Sequence, residues 1–145
     1  RARDLDTLRF RADSRINEII RETAAHSARG TVFLLDAERL VDANSPDEIA
    51  GKEYFIDHVH FNFDGNHLLA SGVAEAISKI PRFAPSKKPR ELSANHYRES
   101  LIYSPWAELD MLDTILMREK REPFRSQYGH RAKMNELADA WETIL

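Results

Sequence analysis

Apolar residues recur at helical spacing along most of the chain and crowd into one short continuous run near its first third, and that pattern predicts most of the elements. From about Asp4 to Ala28, Leu5, Leu8, Ile16, Ile19, Ile20 and Ala24 return among arginines and acids, which predicts an amphipathic helix with a break near Ala12 to Ser14. Gly30 fits a C-terminal stop. The run Thr31-Val32-Phe33-Leu34-Leu35-Asp36 has no polar alternation, which predicts a buried strand at the centre of a parallel sheet covered on both faces. Turn formers from Ala43 to Gly51 predict a loop, and Tyr54-Phe55-Ile56 a brief apolar anchor before Asp57-His58-Val59-His60. Asp64 and Gly65 then offer a cap for a helix in which Leu68, Leu69, Val73, Ala76, Ile77 and Ile80 recur up to Pro81.

Beyond that helix, Pro81 to Pro89 carries three prolines and the basic residues Arg82, Lys87 and Lys88, which predicts a surface linker. Three further helices are expected at Glu91 to Tyr103, Trp106 to Glu119 and Gly129 to Leu145, the second marked by Leu109, Leu112, Ile115 and Leu116. Pro105 suits a first-turn position, and Pro123-Phe124 marks the next break. There is no internal repeat and no low-complexity segment.

Composition narrows the class without choosing a chemistry. The 145 residues are enough for one ordinary domain with a real core. With 21 basic and 24 acidic residues the net charge is −3, so no strong field draws the chain to nucleic acid or to an anionic membrane. No apolar run approaches the roughly 18 residues of a membrane span. Cysteine is absent, which removes disulfides, thiolate nucleophiles and cysteine-ligated zinc but leaves the compartment open. Because the sequence starts at Arg1 in what reads as helix interior, a piece of something longer is expected.

The chemistry concentrates in Asp57 to His60. A serine hydrolase needs an imidazole to take the nucleophile's proton and a carboxylate to hold that imidazole in the right tautomer. Asp57 and His60 are three apart, so a tight loop lets the carboxylate reach the ring nitrogen facing away from substrate. His58, adjacent to Asp57, is poorly placed for such orientation, and His67 reads as a surface or capping residue of the next helix. Asn62 is expected to contact the loop backbone in an Asx-type turn and is assigned no chemistry.

The segment from Tyr54 through Asp57-x-x-His60 to Gly65 and Leu68-Leu69-Ala70 resembles the last conserved block of the SGNH/GDSL-type esterases. Asn17 to Asp36 is similar to the final helix–strand unit of that family's flavodoxin-like sheet, so the resemblance spans about Ile16 to Ile80. More softly, Trp106 to Leu112, Arg118, Pro123-Phe124, Gln127 and His130 resemble the helical tail of SGNH-like domains in bacterial proteins with tetratricopeptide repeats. The resemblance implies an α/β, helix-rich chain forming the C-terminal portion of a flavodoxin-like three-layer domain followed by a helical tail. Residues 1–80 would be the catalytic part, 81–90 a linker and 91–145 the tail. It further implies His60 as general base, Asp57 as its orienter, an acyl-ester substrate such as an O-acylated carbohydrate, and neither metal nor cofactor.

The family's Gly-Asp-Ser block and its oxyanion-hole blocks are absent. Ser14 lies in the arginine-rich helix, Ser45 precedes a proline and Ser71 is on the helix after the cluster, so none has the setting of a nucleophile. The serine and most of the anion stabilisation are expected upstream, and this chain alone is expected to be inert. A fragment of a sheet would expose strand edges and apolar faces, so self-association is expected as well.

Two other readings stay open. Ile56-Asp57-His58-Val59-His60-Phe61 also resembles the His-x-His strand of amidohydrolase barrels, which would make His58 and His60 zinc ligands, although no later ligands follow. Alternatively the loop is a capped turn in a helical interaction module that presents Trp106 or Trp141 to a partner. Arg9, Arg11, Arg15 and Arg21 read as a solvated helix face, and Lys87-Lys88 as a soluble linker.

Overall fold

A computed structural model describes residue 4 and residues 12–28, 30–86 and 92–144. Their contacts fall into two compact units, residues 1–90 and 91–145.

In the first unit, helix α1 (Ser14–His26) begins where the Asp13 carboxylate accepts the Ile16 N–H. The earlier part of the expected helix, with Leu5, Leu8, Arg9 and Arg11, lies outside the described residues. Helix α2 (Ala37–Ala43), which the apolar pattern did not reveal, is capped by Asp36 and packs against α3 (Phe63–Ser78). The α3 cap is Asn62, whose side chain accepts the Gly65 N–H at 2.8 Å, rather than Asp64. Gly65 and Gly72 face inward on α3. A methyl on Gly72 would lie 2.6 Å from a Leu40 methyl, so a larger residue there would make the Leu40 side chain shift.

The flavodoxin-like, three-layer α/β architecture is overturned. The described residues hold six α-helices and no sheet, only an isolated antiparallel bridge between Phe55 and Phe61. Thr31 to Leu35, expected as a central parallel strand, runs between α1 and α2 with no strand beside it, and Val32, Phe33 and Leu34 are 50%, 49% and 44% exposed. The reason is topological. A strand is completed by a neighbour's main chain, and β-branched propensity without a pairing partner does not make one. This chain has a single such run.

The α1 arginines also differ from one another. Arg15 pairs in the open with Glu18 and Glu22, as a solvated face would. Arg21 instead forks onto Asp36 at 2.6 and 3.1 Å and reaches Glu38 at 2.6 Å, with all three side chains about three-quarters covered. This cluster ties α1 to the start of α2.

The second unit contains α4 (Ala94–Ser100), α5 (Pro105–Glu119) and α6 (His130–Ile144), with Ser93 and Ser104 as N-caps and Pro105 in the first turn of α5. Leu109, Leu112 and Ile115 of α5 are buried, as is Leu137 of α6, where the two helices pack. Glu119 is buried too, its carboxylate 3.9 Å from His130 Nδ1. Among the described residues, no helix is long and apolar enough to cross a membrane. Lys87 and Lys88 of the expected linker lie outside the described residues, and Pro81–Phe83 forms a short 3-10 turn.

Candidate active site

Between α2 and α3 the chain folds back on itself as a short hairpin. Ile56 N–H donates to His60 O at 3.0 Å and Asn62 N–H to Tyr54 O at 3.0 Å, and between these pairs Phe55 opposes Phe61. The two phenyl rings lie 4.6 Å apart between centroids, an aromatic clasp at the base of the loop. Asp57-His58-Val59 is the connection, so Asp57 leaves one arm and His60 begins the other.

The Asp57 carboxylate organises that connection. Its Oδ1 accepts the N–H groups of Val59 and His60, both at 2.8 Å, which is an Asx-type turn. Its Oδ2 lies 2.7 Å from His60 Nδ1. The Asp57 side chain is only 4% exposed, whereas that of His60 is 51% exposed. Burial alone would raise the Asp57 pKa. The N–H groups of Val59 and His60 and the imidazole outweigh it and hold the carboxyl below its usual range. The group is therefore ionised at neutral pH and can only accept. Nδ1 of a neutral His60 must then carry the ring proton, and the lone pair is left on Nε2 of a half-exposed ring.

Of the residues singled out in the sequence, Asp57 and His60 are brought together as expected for an oriented base. His58 is half-buried with its Nε2 inside, and His67 is half-buried in the first turns of α3. Among the described residues no three His, Cys, Asp or Glu side chains are grouped as metal ligands, and Nδ1 of His60 faces a carboxylate. The three serines are engaged elsewhere or turned outward. Ser14 Oγ donates to Asp4, Ser45 Oγ to Val41 O at 2.9 Å, and Ser71 is exposed on α3.

Two supports of the hairpin were not assigned that role from sequence. Asn62 does more than an Asx turn, since its Nδ2 donates to Glu53 O at 2.9 Å and Lys52 O at 3.3 Å while its Oδ1 caps α3. Gly65 is the second. A Cβ there would collide with Tyr54 O and the Phe61 ring, so the hairpin rests directly on the α3 backbone. The only signal for either was the short spacing Asn62-x-x-Gly65, which fits a side-chain cap as well as it fits a loop.

Comparison with protein-family models, curated proteins and solved structures finds no match to this chain.

Proposed function

We propose that Asp57 and His60 are the acid–base pair of a serine-type acyl-ester hydrolase whose nucleophile and oxyanion donors are supplied by polypeptide outside these residues. The observation that carries the reading is the buried Asp57 carboxylate 2.7 Å from Nδ1 of a half-exposed imidazole. In this arrangement Nε2 takes the proton of an attacking hydroxyl and returns it to the leaving alcohol, while Asp57 stays ionised and stabilises the imidazolium between those steps. An O-acylated carbohydrate is the substrate class suggested by the resemblance carried by Tyr54 to Ala70.

The test joins these residues to a segment carrying the serine and its oxyanion donors. His60→Ala should then lower kcat/KM on an acyl-ester probe by about 1,000-fold or more. The 145-residue chain alone should turn over no faster than its own His60→Ala variant. Undiminished activity of His60→Ala in the joined protein would refute the assignment.

A second reading attaches to the other unit. Leu101, Ile102 and Trp106, at the junction of α4 and α5, are 70%, 84% and 75% exposed, whereas Trp141 is half-buried. Three large apolar side chains within six residues support a contact surface, with self-association as its simplest form. Sedimentation equilibrium should show a concentration-dependent mass that Trp106→Ala lowers. A monomer at every soluble concentration overturns this reading.

A further inference from the structure

We infer that Asn62 is the positioning residue of the Asp57–His60 pair, an inference that rests on the acid–base reading above. Asp57 opens the connection and His60 begins the second arm, so the geometry of their 2.7 Å contact depends on how the base of the hairpin holds the two ends of that connection. The bonds from Ile56 N–H to His60 O and from Asn62 N–H to Tyr54 O, with the Phe55–Phe61 ring contact, join the arms, and a two-stranded hairpin of this size is marginal in water by itself.

Asn62 supplies a further constraint. From the second arm, its Nδ2 donates back to the carbonyls of Glu53 and Lys52, which lead into the first arm. Its own N–H donates to Tyr54 O. Its Oδ1 accepts the Gly65 N–H, and its carbonyl accepts both the backbone N–H and the side-chain amide of Asn66, at 3.1 and 3.0 Å. The side chain thus ties the second arm to the lead-in of the first and to the first turn of α3. Both halves of the amide are used, so serine or aspartate can reproduce the helix cap but not the grip on residues 52 and 53. Displacing one arm by about 1 Å is enough to lose the alignment on which a general base depends.

The experiment compares Asn62→Ser and Asn62→Asp with the wild-type chain. Both variants keep a cap acceptor, so helix content by circular dichroism should be unchanged. Long-range nitrogen–proton NMR of His60 should show the ring proton held on Nδ1 in the wild type and shared between the two nitrogens in both variants. In the joined protein, kcat should fall about 10- to 100-fold with KM unchanged. A His60 ring proton still held on Nδ1 in the two variants overturns the positioning role, whatever their activity. If the tautomer follows Asn62 while His60→Ala leaves hydrolysis intact, the positioning role stands and the hydrolase reading falls. Should Asn62→Ser lose helix content, Asn62→Asp supplies the same comparison.

Discussion

In the second unit, Leu109, Leu112 and Ile115 of α5 close on Leu137 of α6 and exclude water. In the first, Val41 is the one apolar side chain buried to that degree among the described residues, while Ile16, Ile19 and Ile20 of α1 stay nearly half exposed. Order there comes from directed contacts: Arg21 on Asp36 and Glu38, Asp57 on two N–H groups and an imidazole, and Asn62 on the lead-in of its hairpin. An apolar core tolerates small rearrangement because its attraction has no direction, whereas a hydrogen-bonded site is specified atom by atom. The second unit is thus arranged for cohesion and the first for placing a few groups.

The comparison predicts that the two units fail differently. The largest effect should be on function in the first unit. Asp57→Asn keeps an acceptor for the Val59 and His60 N–H groups but presents an amide donor or a neutral oxygen to Nδ1, and kcat of the joined protein should fall about 100- to 10,000-fold with the fold retained. A loss below tenfold would mean that the carboxylate does not set the His60 tautomer. Next, Leu112→Ala should cost the second unit about 2–5 kcal/mol, read as a lower denaturant midpoint for that unit. Gly65→Ala, which drives a methyl into Tyr54 O and Phe61, should cost the first unit about 1–3 kcal/mol and disturb the His60 resonances. Unchanged stability would show that the hairpin does not rest on α3.

Acid separates the units by a different route. Arg21 holds Asp36 below its usual pKa, and the loop N–H groups do the same for buried Asp57. A carboxyl with a depressed folded-state pKa binds fewer protons folded than unfolded. Its stabilisation is complete above the unfolded value near 4 and is lost as pH falls through the folded value. The first unit should therefore loosen below about pH 4, followed by His60 and Ile56 amide exchange, before the apolar contacts of α5 and α6 give way. In the second unit, Glu122 is also depressed, by Ser126 and Arg125, but it is exposed and bears little on stability.

The smallest effect is a gain. After α4, Tyr103 N–H bonds back to Arg98 O and Ile102 N–H to Glu99 O, a Schellman closure with Ile102 at φ +53° and 84% exposed. A β-branched residue is strained there, so Ile102→Gly should raise the stability of the second unit by about 1 kcal/mol in thermal unfolding.

What could be read from the chain follows the same division. Helix α5 was legible because Leu109, Leu112 and Ile115 repeat at its own period behind Ser104 and Pro105. The Asp57–His60 turn was legible because its contacts are local in sequence, a carboxylate three residues before an imidazole being within reach of it in a tight loop. Helix α2 was not, since Ala37–Ala43 is short and owes its start to the Asp36 cap. The run from Val32 to Leu35 misled for the opposite reason. Its composition is that of a strand, but strand formation is decided by a second segment that composition cannot supply. The Asn62 grip was hidden because its partners, residues 52 and 53, are ten and nine positions away and offer only backbone carbonyls.

The two oxygens of Asp57 are differently occupied, one by the turn's N–H groups and the other by the ring. A carboxylate so committed is a poor acceptor for the Nδ1 proton of His60. The pair should consequently move one proton per chemical step rather than two in concert. In mixtures of light and heavy water, the hydrolytic rate of the joined protein should then fall along a straight line as the deuterium fraction rises, and a bowed line would mean that Asp57 takes part in the transfer.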